Sequence, residues 1–463
     1  MAMLSKNVLV AMKLLSEIEA LGYEAYIVGG TVRDILSGRR AEDVDITTNC
    51  PLKILEEIFD TYNIGQSKDF GICLICYKDM YFEIAQFRSD GKYLDGRRPE
   101  SVKIGVSLDE DIMRRDFTIN AMAMDKHGNI IDKVGGKEDL ENKILRTVGD
   151  PSERFSEDYL RMLRAIRFAA LGFNIENKTR MAIRRYNSKI IKIAPERIRG
   201  EFYKASKYGV KEFTNFIKLS DYFGLLSKII PEVSILKYYK HNMRHHPEGT
   251  TVFDHVIKCL EIARTNDFTT LMAILLHDIG KGVTFSEDEK GVHYYRHEVA
   301  GTDIAEHILT RLKFSNMEKD RILFAVRNHM KFNHILNMRP SKIARIAESP
   351  YFDTLVEVAW ADEFSRGEEF MHYGSFDRKL EKINEIIERQ KQLAYNRPLV
   401  DLIDGNLIMK LCNIKPSPLV GKIKRMVADK IMDESISDYK SQLHDLILQA
   451  YNELEKEEQN GNH

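Results

Sequence analysis

Cysteine is scarce in this chain. Five residues in 463 (Cys50, Cys73, Cys76, Cys259 and Cys412) are too few and too scattered for a disulfide framework. Cys73-x-x-Cys76 has no second cysteine pair to complete a zinc site, and the apolar run from Ile72 to Tyr77 around it reads as strand core. A reducing, cytoplasmic setting is the expectation. Long hydrophobic runs are missing too. None approaches the about eighteen residues that a membrane span needs, and Met-Ala-Met-Leu-Ser-Lys opens an amphipathic helix instead of a signal peptide. Nor does charge of one sign dominate. Lys+Arg is 69 against Asp+Glu 70, so overall charge neither requires nor excludes a nucleic-acid partner, and only local patches can decide. No internal repeat is present, and Gly280-Lys281-Gly282 lacks the spacing of a phosphate-binding P-loop.

What is present suits a globular chain: 43% hydrophobic and 30% charged residues, at a length that fits about three or four domains. Residues 5–21 fit one helix, with Val8, Leu9, Met12, Leu15, Ile18 and Leu21 on a shared face. The organising stretch follows, from Tyr26 to Asp45. Tyr26-Ile27-Val28 predicts a buried strand that stops at Gly29-Gly30. A helix carries Arg33 and Asp34 and ends at Gly38. Two glycines at a strand-to-helix turn let backbone approach a ligand, and helix N–H groups beyond suit an anion. Asp43 and Asp45, two apart on the next strand, fall on one face. Paired carboxylates facing a phosphate-sized cradle are what two-metal phosphoryl chemistry needs, with Mg²⁺ as the natural cation.

Further on, residues 51–62 predict a helix, and 72–77 and 81–87 two strands turning at Lys78-Asp79. Glu83 lies on the second of these, either a third carboxylate near the aspartate pair or an edge-strand glutamate. Residues 88–99, polar with two glycines, a proline and four basic residues, read as a surface loop of the kind that forms lids. Arg114-Arg115-Asp116 precedes an expected helical run. Arginines can grip phosphate, and an aspartate can accept from a ribose hydroxyl. Gly128-Asn129 marks a turn before a last strand at 130–132.

From Asp139 the chain turns helical. With Ser156 as the expected N-cap, Asp158, Arg161 and Arg164 fall at threefold spacing on one helix face. An aspartate and an arginine in fixed array can read the edge of a nucleobase. An ordinary Glu157–Arg161 salt bridge is the plainer alternative. Residues 178–207 hold ten Lys/Arg against two Glu, the strongest basic patch in the chain and a candidate nucleic-acid track.

The order of these motifs resembles the class II tRNA nucleotidyltransferases, the CCA-adding enzymes, and their bacterial poly(A) polymerase relatives. The resemblance runs over about residues 22–205. It rests on Gly29-Gly30-x-x-Arg33-Asp34, Asp43-x-Asp45, Arg114-Arg115-Asp116 with Asn120-Ala-Met, Glu157-Asp158-x-x-Arg161 and Glu196-Arg-Ile-Arg-Gly-Glu201. It implies an α+β, polymerase-β-like head over 1–140 and a helical neck over 141–210. A body over 211–370 and a helical tail over 371–463 complete the implied all-α remainder. On matching positions it implies that Asp43 and Asp45 bind Mg²⁺ and that Gly29, Gly30 and Arg33 meet the triphosphate. Asp116, with Arg115 beside it, would hold the ribose, and Asp158 and Arg161 would read CTP and then ATP. The partner implied is tRNA, held by its acceptor stem and T-arm. The family's flexible loop corresponds to 88–99, which enzymes adding only CC lack in part. Addition of CC or A alone, and poly(A) synthesis, remain the alternatives within the class.

A second chemistry begins near residue 241, in a stretch expected to be helical throughout. Leu271 to Leu276 is an apolar helix that ends in His277-Asp278, and burying that pair requires partners. The series His255, His277-Asp278 and Asp362 resembles the HD phosphohydrolase superfamily. These four would ligate a divalent ion such as Mn²⁺ or Ni²⁺, with His297 and His329 available for a second. Lys281 matches a phosphate-contacting lysine of such domains, and 2′- or 3′-phosphates or cyclic nucleotides are the implied substrates. In the tail, 376–395 reads as a solvated helix, Pro-Ser-Pro-x-x-Gly421 precedes another helix, and 437–456 forms the last.

Overall fold

A computed structural model describes residues 4–41, 43–62, 71–90, 102–241, 251–289, 291–366, 374–394 and 399–460. The chain forms two compact units, Met1–Ile235 with Arg311–Lys313, and Leu236–Thr310 with Phe314–His463.

The first unit opens with the helix Lys6–Ala20, N-capped by the Ser5 side chain. Its buried face is Val8, Val10, Ala11, Leu14, Leu15 and Ile18. Leu9 and Leu21 are exposed instead, because the apolar residues outnumber one face and the sheet below selects among them. Five strands follow: β1 (Ala25–Val28), β2 (Asp45–Thr48), β3 (Asp60–Tyr62), β4 (Ile72–Tyr77) and β5 (Met80–Gln86). Then come β6 (Arg88–Asp90), β7 (Val102–Ile104), β8 (Met122–Met124) and β9 (Ile130–Asp132). The main sheet runs β3-β4-β5-β2-β1-β8-β9. It is mixed: β2 and β5 are parallel and the other pairs antiparallel. Lys78 and Asp79 both take positive φ, which turns β4 tightly into β5. Cys73 is fully buried on β4, as strand core.

Three local expectations change. The helix expected over 51–62 stops at Ile58, and Asp60–Tyr62 pairs with β4 as an edge strand. Arg88–Asp90, expected as loop, forms a ribbon with Val102–Ile104, while 91–99 lie outside the described residues. Arg114-Arg115-Asp116 follows the helix Leu108–Met113 instead of preceding one, with only a single 3₁₀ turn at Thr118–Asn120 beyond it.

Two short strands, β10 (Ile144–Leu145) and β11 (Asn174–Ile175), pair beside the neck helices. Those helices are Pro151–Glu157, Leu160–Ala170, Asn177–Tyr186, Pro195–Lys207 and Val210–Tyr222. Ser156 caps nothing. Asp150 caps the first of these helices, with Pro151 at its opening position. Asp158 therefore stands at a break between two helices instead of inside one.

The second unit is helical apart from an antiparallel hairpin, β12 (Phe285–Asp288) with β13 (Gly291–Tyr294), which corrects the expectation of helix throughout. Thr251 N-caps the helix Val252–Glu261 in a capping box with Asp254. The wholly buried helix Phe268–Leu276 delivers His277 at its end. In the tail, Ser375–Ala394 is not merely solvated. Phe376, Ile383 and Ile386 are buried, and the nearly buried Lys379 pairs with Glu363 at 2.6 Å. Gly421 lies inside the helix Pro418–Asp433, since a proline at its first position starts that helix earlier than expected. The last helix, Tyr439–Asn460, packs Tyr439, Leu446 and Ile447 into the same core.

Candidate functional site

The head site is built around the turn out of β1. Gly29 has φ +73°, a conformation that favours glycine, and starts the helix Gly30–Leu36. A Cβ at Gly29 would come within 3.6 Å of both Asp45 Oδ2 and Arg115 Nη1, so the bare backbone keeps that space open. Thr31 binds the glycine helix to the aspartate strand: its Oγ1 donates to Asp43 O at 2.9 Å. Asp43 lies in the bend just before β2, one step short of the expected strand, but the alternation holds. Val44 and Ile46 are buried while Asp43 and Asp45 are exposed.

Glu83 is drawn to this pair by tertiary pairing. Parallel β2 and β5 place Asp45 directly opposite Glu83. Their environment raises both carboxyls: for Asp45 by desolvation and then Asp43, against the pull of Arg115, and for Glu83 by desolvation and then Asp45. Two carboxylates that resist joint ionisation, with the Asp43 carboxylate beside them, form a set that a divalent cation would relieve, and their oxygen chemistry fits Mg²⁺.

Asp45 also lines a cavity of about 670 Å³, together with Gly29, Gly30, Arg33, Arg115, Asp116, Asp158, Arg161 and Arg164. Its charges are cross-paired. Arg33 donates to Asn120 Oδ1 at 2.7 Å and to Asp34 Oδ1 at 2.9 Å. Arg115 is braced by the fully buried Asp111 at 3.0 Å. Asp116 accepts from Arg164 at 2.6 Å and from the Phe117 N–H at 2.8 Å. Burial alone would raise the Asp116 carboxyl, but the Arg164 and Arg161 guanidiniums overcome it and hold it at about 2. Arg161 is gripped by Glu157 and donates to the Arg114 carbonyl at 3.1 Å. The plain i,i+4 ion pair is thus present, and Arg161 faces the cavity at the same time. Asp158 is held by Arg197, with Nη2 to Oδ2 at 2.6 Å and Nη1 to Oδ1 at 3.3 Å. Asp158 and Arg161 therefore present acceptor and donor side by side, each fixed by its own partner.

Sequence reasoning passed over Thr31, Asp111 and Arg197. Arg197 carried a signal, since it lies in the Glu196–Glu201 motif and in the basic patch, but neither names Asp158 as its partner. That patch is partly spent internally. Glu201, 1% exposed, accepts from Arg167 at 2.7 Å, and Arg197 serves Asp158.

The second unit holds a buried cluster. Asp278 Oδ1 lies 3.2 Å from His297 Nε2 and 3.8 Å from His329 Nε2. Its Oδ2 lies 3.4 Å from His277 Nε2, 3.5 Å from His255 Nε2 and 2.6 Å from Lys281 Nζ. Asp362 Oδ1 is 3.4 Å from His255 Nε2. All six residues expected as ligands thus meet in one cluster. Gly280 permits it: a Cβ there would fall 2.0 Å from the His297 carbonyl. His241, which the sequence did not single out, stands with its Nε2 4.0 Å from Asp278 and 3.4 Å from Lys281.

Tautomers decide what the cluster can do. His277, His297 and His329 each place Nδ1 against a backbone carbonyl, Ile274, Tyr294 and Val326, at 2.7–2.8 Å. A carbonyl only accepts, so each ring donates Nδ1–H and turns an Nε2 lone pair inward. The His297 and His329 Nε2 atoms face each other at 3.1 Å, and His277 Nε2 is buried without a hydrogen bond. Burial and the neighbouring His277 push the His329 imidazole down to about 3, so it stays neutral. Burial opposes ionisation of Asp278 and Asp362, yet the Lys281 charge beside the first and the Arg366 charge beside the second hold both well below the usual carboxylate range. Converging lone pairs and carboxylates fit a divalent cation.

Residues 25–146 match the poly A polymerase head domain, 172–236 the probable RNA- and SrmB-binding site of polymerase A, and 252–367 the HD domain. The CCA-adding enzyme of Lactobacillus helveticus is 49% identical over 195 residues, which cover 42% of this chain and 49% of that protein. The CCA-adding enzyme of Ligilactobacillus salivarius is 39% identical over 255 residues, 54% of this chain and 63% of that protein. The chain thus spans about half the length of the first of these relatives and under two thirds of the second. In fold, it matches the CCA-adding enzyme of Bacillus stearothermophilus in complex with CTP, with TM-score 0.65 at 24% identity, covering 98% of this chain and 100% of that one. No helix among the described residues is long and apolar enough to cross a membrane. A poly A polymerase head, an RNA-binding segment and an HD domain thus follow one another in this chain, in that order.

Proposed function

We propose that this protein builds or repairs the 3′-terminal CCA of tRNA, adding CMP from CTP and AMP from ATP. One observation carries the reading. A carboxylate set (Asp45 opposite Glu83, with Asp43 beside them) and a fixed acceptor–donor pair (Asp158, Arg161) serve a single cleft, in which Asp45 shares the cavity wall with Asp158 and Arg161. In this reading the RNA 3′-oxygen bonds to the α-phosphorus, the bond to pyrophosphate breaks, and Gly29, Gly30 and Arg33 retain the leaving group. Asp43 and Asp45, with Glu83 as a further neighbour, would hold Mg²⁺, which would supply Lewis-acid charge to this displacement. Asp116 accepts from the ribose, with Arg164 orienting the carboxylate and Arg164 and Arg161 keeping it charged. Asp158 and Arg161 pair with the edge of cytosine or adenine and leave guanine or uracil with unmet buried groups. The division into head (1–140), neck (141–210), body (211–370) and tail (371–463) belongs to the same reading. So do recognition of the acceptor stem and T-arm through 178–207 and the tail, and a cytoplasmic site of action.

The test uses three tRNAs, ending in the discriminator base, in C and in CC, each with CTP, ATP or both. Extension of all three to CCA is the expected result. Extension of the CC form alone would make this an A-adding enzyme, arrest at CC a CC-adding one, and long A tails a poly(A) polymerase. A second reading concerns the HD cluster, and the inward lone pairs favour it: a divalent-cation centre that hydrolyses 2′- or 3′-phosphates or cyclic nucleotides. Opening of 2′,3′-cyclic nucleotides to nucleoside monophosphates, or phosphate release from nucleoside 2′- or 3′-monophosphates, lost in Asp278→Asn, would support it.

A further inference from the structure

The 3₁₀ turn Thr118–Asn120 ends on a side chain that touches both Arg33 and Asp116. Asn120 is 6% exposed and lines the head cavity. Its Oδ1 accepts from Arg33 Nη1 at 2.7 Å, and its Nδ2 donates to Asp116 Oδ1 at 3.3 Å. These neighbours leave the amide one orientation, because a guanidinium only donates and an ionised carboxylate only accepts. Arg33 has a second brace in Asp34, which takes Nε at 3.0 Å and Nη2 at 2.9 Å, but Asp34 sits beside it on the same short helix. The bond to Asn120 spans 87 positions and fixes the guanidinium to a different element. Together these bonds use one N–H on each of the three nitrogens, and one on each terminal nitrogen remains to meet a phosphate oxygen.

The turn itself is held from behind. Thr118 donates Oγ1 to the buried Asp139 at 2.6 Å and its N–H to the Arg146 carbonyl at 3.0 Å. Gly136 permits this close packing, since a Cβ there would fall 2.2 Å from the Thr118 carbonyl oxygen. A side chain on so constrained a turn is a fixed reference for the groups it binds.

We propose that Asn120 is a positioning residue that joins the triphosphate grip of Arg33 to the ribose grip of Asp116, and that choice of ribonucleotide over deoxynucleotide depends on this bridge. The proposal rests on the reading of the head as a nucleotidyltransferase in which Asp116 meets the ribose. A nucleotide joins its phosphates to its ribose through a single carbon, so the two grips must keep one separation. With the bridge intact, Asp116 meets the ribose hydroxyl while Arg33 holds the phosphates. With it broken, the hydroxyl gains nothing and the deoxynucleotide competes.

The test takes the full chain and a tRNA ending in CC, and measures kcat/KM for addition from ATP and from dATP. The wild-type chain is expected to prefer ATP. Asn120→Asp keeps an acceptor for Arg33 but sets a carboxylate against Asp116. The ATP-to-dATP ratio should then fall at least about tenfold, with KM for dATP close to wild type. Asn120→Leu, of similar volume, removes both bonds, so the ratio should fall and KM should rise for both nucleotides. Damage to folding alone lowers both nucleotides together, so a ratio unmoved in both variants overturns the proposal. A crystal structure of the wild-type chain with ATP needs no variant. Both Asn120 bonds are expected with Asp116 on the ribose, and either bond broken in that complex overturns the proposal too. A wild-type chain that adds nothing, or takes dATP as readily as ATP, would overturn the reading beneath the proposal, a result distinct from a ribose preference that ignores Asn120.

Discussion

The carboxylate cleft of the head and the histidine–aspartate cluster of the second unit solve opposite electrostatic problems. In the head, Asp43, Asp45 and Glu83 stay exposed, and the surrounding arginines are each braced by a fixed acid or carbonyl. In the cluster, His255, His277, Asp278, His297, His329 and Asp362 are all 5% exposed or less. An open set can trade a cation and a nucleotide at each round of addition, because water replaces whatever leaves. A closed set cannot be left empty cheaply, since its lone pairs and carboxylates face one another without solvent. The first arrangement suits turnover and the second retention.

The largest effect that would sharpen this contrast is in the head. Asp45→Asn should reduce nucleotide addition to tRNA at least about a thousandfold, measured by single-turnover extension with labelled ATP. Cation binding in the HD cluster should be unaffected. Activity near wild type would remove Asp45 from the chemistry.

Cation removal tests the other side. An ion at a hundredfold its Kd adds about 2.7 kcal/mol to the stability of the state that binds it. Chelation should therefore lower the melting transition of the second unit in calorimetry. Asp278→Asn should abolish the shift and Asp45→Asn should not. A shift that follows Asp45 instead would reverse the comparison.

The braced arginines make a pH prediction. The Asp116 carboxyl is held at about 2, below its unfolded value of about 3.9. Its stabilisation is present above about pH 4 and is lost as pH falls through about 2, an effect of about 2–3 kcal/mol. Arg164→Met should remove that stabilisation at neutral pH and flatten the acid limb of urea-denaturation stability. An unchanged acid limb would show that the pair contributes nothing.

The smallest effect concerns base choice. Arg197→Ala releases Asp158 from its bidentate partner. Misincorporation of UMP or GMP should rise about tenfold to a hundredfold, with tRNA affinity little changed. A loss of tRNA affinity with fidelity intact would return Arg197 to the RNA track.

Much of this was legible locally. Gly29-Gly30, the alternation of Asp43 and Asp45, the apolar helix ending in His277-Asp278 and the Thr251-capped helix carrying His255 follow from period, turn and cap rules acting over a few residues. Errors fell where neighbours in space override those rules. Leu9 lost its place in the core because the sheet selects one face of the helix Lys6–Ala20. Asp60–Tyr62 became strand because β4 had an open edge. Asp158 is a different case, placed at a helix break by a local signal, the Asp150-Pro151 cap that starts a helix earlier.

The sequence by itself determined which residues are candidates for chemistry, since carboxylate, imidazole and glycine at short spacings have few uses together. Only the tertiary structure decided how those residues are grouped. It set Glu83 opposite Asp45 through a parallel pairing across 38 positions, gave Asp158 to Arg197 across 39, and gathered six separate ligands into one cluster. Grouping depends on burial and register, which are properties of the packed chain. Short-range spacing carries no information about them.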